Sequence, residues 1–80
     1  MRFTNPWHDP RNEISPREFD VGELLESDGV LDFYPVTTPH NYGTVLVVVN
    51  GERAGDTGGD RVVGQYVTAA GAKRALLEER

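Results

Sequence analysis

The strongest hydrophobic signal along the 80-residue chain is "TVLVVV" at 44–49, β-branched and almost unbroken. A run this uniformly apolar suits a strand covered on both faces, so it is predicted to be the most buried strand of a sheet. "VLDFYPV" upstream also reads as a strand. Pro35 lacks the amide donor that a central ladder needs, which predicts an edge strand or a bulge there. "TPHNYG" between the two runs is a turn. Downstream, Asn50-Gly51 is a type I′ hairpin signal, predicting either a short hairpin or a bulge at Gly51 with the strand continuing to Ala54. "RVVGQYV" supplies the next strand, with Gly64 marking a bulge or a close approach.

Two helices are predicted at the flanks. In "SPREF", Ser15 as N-cap, Pro16 at the first helical position and Glu18 three residues after the cap form a capping box. The helix should span 16–27, with Phe19, Val21, Leu24 and Leu25 inward and Asp20, Glu23 and Glu26 three apart on the outer side. Gly22 weakens it by about 1 kcal/mol relative to alanine, and "SDG" ends it. Thr68 caps a second helix over 69–79, with Ala69, Ala72, Ala75 and Leu76 toward the sheet and Lys73, Arg74 and Glu78 toward water. The pattern thus predicts a small single α+β domain over 15–80: a helix, a three- or four-stranded mainly antiparallel sheet, then a C-terminal helix. Val47 and Leu76 are its expected core. Residues 1–14, with "NPWHDP", read as an irregular N-terminal arm, in which Trp7 either packs back onto the core or anchors a partner.

Charge adds a strong asymmetry. The net charge of −5 lies wholly in residues 1–40, where eight acids face three bases, and no Lys or Arg occurs between Arg17 and Arg53. Such a field repels phosphates and attracts basic surfaces, which argues against direct nucleic-acid binding. With no cysteine, the domain rests on apolar packing, with a homodimer as the other resource, and a reducing cytoplasm suits it best. The longest apolar run, Val45 to Val49, is far short of the roughly 20 residues that span a bilayer. A soluble protein that is not exported is expected.

Catalytic constellations are hard to find. "AGDTGGD" lacks the following helix and the lysine of a phosphate cradle. Asp56-Thr57-Gly58 resembles the active-site triplet of retroviral-type aspartic proteases, but it follows "NGERAG" rather than an apolar strand near the chain start, and a turn is the commoner use of these residues. Ser15 and Ser27 both lie at predicted helix ends, and the spacing of His8-Asp9 and His40 does not demand a metal. No enzyme activity and no cofactor are expected.

Helix, strands and helix around "TPHNYGTVLVVVNGERAG" resemble the double-stranded-RNA-binding domain, although Pro39 and His40 are adjacent and the last helix offers only Lys73 and Arg74 where that family clusters lysines. The whole chain, acidic and cysteine-free, resembles in kind the small phage-encoded inhibitors of bacterial defences, anti-CRISPR proteins among them. That resemblance implies a Cas subunit or the assembled surveillance complex as partner, in the cytoplasm of a bacterial host. The expected function is inhibition of a nucleic-acid-handling protein through its basic surface. Glu18, Asp20, Glu23, Glu26, Asp28 and Asp32 would imitate a short length of duplex, with Trp7 or Tyr42 as apolar anchor. An RNA-binding module, an antitoxin-like regulator and a phage structural part are the competing readings.

Overall fold

The computed structural model describes residues 1–55 and 59–78. Among them the chain forms six strands and one helix: β1 (Arg2–Thr4), β2 (Glu18–Asp20), β3 (Glu26–Asp28), β4 (Leu31–Pro35), β5 (Val45–Val49), β6 (Arg61–Tyr66) and α1 (Ala69–Glu78). β1 and β2 pair as an antiparallel ribbon, and the other four strands form an antiparallel sheet in the order β3-β4-β5-β6. A bridge between Val21 and Val36 ties the ribbon to the end of β4.

The expected N-terminal helix over 16–27 is absent, and with it the helix-first order of the predicted fold and the topological likeness to the double-stranded-RNA-binding domain. Its residues form β2, a link and β3 instead. Period decides this. Phe19 and Val21, two apart, are both buried, whereas Leu24 and Leu25, which a helix would have turned inward, are about half exposed. The capping box is dismantled as well, because the Ser15 hydroxyl accepts from the Asp9 N–H at 3.1 Å. Asn5 is buried and fixes the loop that leads there: its Nδ2 donates to the Pro16 carbonyl at 2.7 Å and its Oδ1 accepts from the Trp7 N–H at 2.9 Å. Within the arm expected to be irregular, residues 2–4 are β1, paired Phe3 to Phe19.

β5 is the centre of the sheet, buried along its whole length, as its sequence predicted. Its side chains alternate between two half-cores. Leu46 and Val48 meet Phe19, Val21 and Val36 beneath the ribbon, while Val45 and Val47 meet Phe33 and Ala72 beneath α1. Val47 is fully buried; Leu76, expected to be core, is only partly buried against the same half-core. The fold is therefore a sheet with a ribbon on one face and a helix on the other.

β4 lies between β3 and β5 rather than at an edge. Pro35 is tolerated because it is the strand's last residue. Val36 donates to the Thr44 carbonyl at 2.9 Å, so the preceding residue turns its amide position the other way, where its carbonyl accepts from Gly22 at 2.9 Å. In β6, Val63 is the extra residue of a bulge, since Val47 pairs with Gly64 and Val48 with Val62. A Cβ on Gly64 would lie 2.6 Å from the Tyr66 ring, which accounts for the glycine. Thr68 caps α1, its Oγ1 accepting from the Gly71 N–H at 3.0 Å.

The Asn50-Gly51 hairpin is not formed. Residues 51–55 are a turn rather than a returning strand. The Asn50 side chain accepts from Arg53 N–H at 3.0 Å and its carbonyl from Ala54 N–H at 3.0 Å, which coils the chain and carries Arg53 back across the sheet. There Arg53 meets Asp32, whose side chain is 4% exposed, through two Nη2 contacts of 2.9 Å. The Ser27 hydroxyl donates to the same carboxylate at 2.7 Å. The Asp56-Thr57-Gly58 triplet lies outside the described residues.

Candidate protein-docking groove

Two-residue alternation places the chemistry of β3. Glu26 pairs with Phe33 and Asp28 with Leu31, so both carboxylates stand on the face of the sheet that α1 covers, while Ser27 points to the other face and to Asp32. Between β3 and α1 lies a groove of about 250 Å³. Phe33, Leu76 and Leu77 form its apolar part, Glu26 and Asp28 its strand-side wall, and Lys73 stands on the helix side. Leu77 is 68% exposed, an apolar side chain that the fold leaves open at the groove mouth.

The Lys73 ammonium crosses the groove to the Glu26 carboxylate at 2.5 Å, both side chains being 46% exposed. A pair so open to solvent contributes about 0 to 1 kcal/mol, so a competing cation can displace it. The hairpin between β3 and β4 builds this wall. Its two loop residues are Gly29 and Val30, between the paired Asp28 and Leu31, and Gly29 has φ 66°, a left-handed conformation that favours glycine.

The other acids expected to form one face are dispersed. Glu18 is exposed and Asp20 half-buried on the outer side of the ribbon, where Asp20 accepts from Arg2 Nε at 2.8 Å. Glu23 is exposed in the link before β3. Asp32 is buried on the opposite face of the sheet and held by Arg53. Only Glu26 and Asp28 are brought together at a cavity. Of the two aromatic anchors, Trp7 is 51% exposed and lines a second cavity of about 250 Å³ together with Ile14, His40 and Asn41, and Tyr42 is 78% exposed in the turn before β5. Neither reaches the groove. Among the described residues, no three His, Asp or Glu side chains gather as a metal-ligand set, and no helix is long and apolar enough to cross a membrane.

Sequence reasoning missed Phe33, Lys73, Leu76 and Leu77 as site residues. The available signal was the Gly29-Val30 hairpin, which puts Phe33 opposite Glu26. Comparison with known protein families, characterised proteins and solved structures found no match, so the functional argument rests on this geometry.

Proposed function

We propose that this protein is a non-enzymatic binding module whose groove between β3 and α1 docks a basic, partly apolar segment on the surface of a nucleic-acid-handling protein, and so blocks that surface. The observation that carries the reading is the meeting, in one groove, of an apolar floor with the Glu26 and Asp28 carboxylates on a chain of net charge −5. The apolar part supplies affinity. The carboxylates select a cationic partner and speed its approach. A Cas subunit or surveillance complex, with a positively charged nucleic-acid channel, is the favoured class of partner. The mode is a pocket and not a helix imitating DNA, since the acids do not share a helical face.

The test is displacement. Labelled DNA bound to each of a panel of purified effectors, Cas complexes among them, is titrated with the wild-type protein and with a Glu26→Lys/Asp28→Lys variant. The wild type should release DNA from one of them, more weakly at 1 M than at 0.1 M salt because the Debye length falls from about 10 Å to about 3 Å. The variant should not. Equal displacement by the variant overturns the groove as the docking site.

A further inference from the structure

We infer that the occupant of the groove, on the docking reading above from which this follows, enters as an added β-strand alongside β3. The two edges of the sheet differ. β6 is packed against β1 and α1, whereas among the described residues β3 has β4 alone as its strand neighbour and all three of its residues are exposed. A strand paired on one side only leaves alternate N–H and C=O groups facing outward, ready for another chain. Beside that edge, and on one face of it only, lies the groove with Phe33, Leu76 and Leu77.

The two features fit one ligand geometry. An extended segment pairing with β3 sends every second side chain to the α1 side. Groups directly opposite Glu26 and Asp28 come within the usual 4.5–5.5 Å Cβ separation of cross-strand pairs, roughly the reach of a Lys or Arg salt bridge. An apolar side chain in the same row reaches Leu76 and Leu77. The intervening side chains face away from the helix and carry no selection in the groove. The recognised chemistry is therefore a basic-apolar row at alternate positions of an extended peptide, with main-chain hydrogen bonds supplying affinity. Charged and very short, β3 deters indiscriminate edge pairing, so a partner must bring cations to use it.

The probe is the blocked peptide Thr-Lys-Thr-Lys-Thr-Leu-Thr, whose lysines share the two-residue spacing of Glu26 and Asp28, titrated into the full chain with binding read from backbone amide NMR shifts. It is compared with two N-methylated isomers, one methylated at the Lys and Leu positions and one at the Thr positions. In a strand only one of these sets faces the neighbouring chain. Strand addition predicts that one isomer loses affinity by about tenfold or more while the other keeps it, since each main-chain hydrogen bond is worth about 1 kcal/mol net. The amide of Ser27 or those of its β3 neighbours should gain protection from hydrogen exchange when the parent peptide binds. If the parent binds, loses affinity in Glu26→Ala/Asp28→Ala, and both isomers bind equally, strand addition is wrong while the docking reading stands. If the parent does not bind at low salt, both fall.

Discussion

Replacing Arg53 by methionine should be among the most damaging changes available in this molecule, although Arg53 lies in a turn and its side chain is 45% exposed. The change removes two Nη2 contacts of 2.9 Å to Asp32, together with Nη1 contacts to the Ser27 hydroxyl at 2.8 Å and the Gly29 carbonyl at 2.6 Å. Ser27 and Gly29 are exposed and regain water. Asp32 is not, because its side chain is 4% exposed; among the described residues it keeps, besides the 2.7 Å bond from Ser27, only a long 3.5 Å contact from Asn50 Nδ2. Stranding a buried charge costs about 3–5 kcal/mol, and the open flank of Arg53 places this site near the lower figure. For a domain of this size, about 3 kcal/mol corresponds to a fall in Tm of roughly 12–24 °C. The assay is urea unfolding followed by tryptophan fluorescence, repeated for Asp32→Leu and for Asp32→Leu/Arg53→Met. The double variant should be more stable than Arg53→Met alone, because no charge is left buried, and the cycle should give a coupling of about 1–3 kcal/mol. A cost below about 1 kcal/mol for Arg53→Met, or strict additivity in the cycle, would refute the claim that Arg53 exists to neutralise Asp32.

Other expectations follow from single contacts. Asn5→Ala leaves the Pro16 carbonyl and the Trp7 N–H without their partner and should cost about 1–3 kcal/mol, seen as a lower unfolding midpoint; an unchanged midpoint would show that the arm is not pinned there. Gly64→Ala puts a Cβ against the Tyr66 ring and should cost about 1–3 kcal/mol, with Gly64→Ala/Tyr66→Ala recovering part of the loss by the same measurement. Burial, then the nearby Asp32 and Asp60 carboxylates, hold the Tyr34 phenol above its ordinary range despite the opposing Arg53 charge. The folded state then keeps this proton longer than the unfolded state, so stability is steady below about pH 10 and declines as pH rises through the folded value; Tyr34→Phe should flatten that decline in alkaline unfolding curves. Lys73→Ala removes the cation that competes for Glu26 and should tighten binding of a basic peptide in the groove, whereas a loss of affinity would mean that Lys73 itself contacts the ligand.

Two elements of the second half, β5 and α1, were legible because their signals are local, whereas Asn50-Gly51 was misread as a hairpin or bulge. "TVLVVV" has no amphipathic alternative, and Thr68 followed by alanines at helical spacing specifies a capped helix without outside help. The first half carries two competing local codes. Ser15-Pro16 with Glu18 announces a helix, whereas Phe19 and Val21 alternate as in a strand, and the second code prevails because Val36, Leu46 and Val48 offer those two side chains a buried site. Asp28-Gly29 was open to both readings, as the stop of that helix or as a hairpin turn. The acids were therefore identified by residue but grouped by the wrong period: Asp20, Glu23 and Glu26 belong to three separate pieces of backbone, and Glu26 stands with Asp28. Asp32 could not be recognised as buried from its neighbours in sequence, since its counter-charge comes from Arg53 through the coil of the 51–55 turn. The groove is equally non-local, joining one hairpin to the end of the last helix.

The division of the core by the central sheet bears on how the molecule opens. The ribbon grips its face through aromatic and branched side chains, Phe3, Phe19 and Val21, whereas α1 holds the other face mainly through Ala69, Ala72 and the half-buried Leu76. Small side chains give little adhesion per turn, so the helix is the layer least costly to detach, and it can lift while the ribbon side stays closed. The groove lies along one side of that helix, between it and β3. Anything wedged between β3 and α1 acts as a clasp on the whole helix, so that occupancy at one edge of the sheet governs the lifetime of contacts as far away as Ala69.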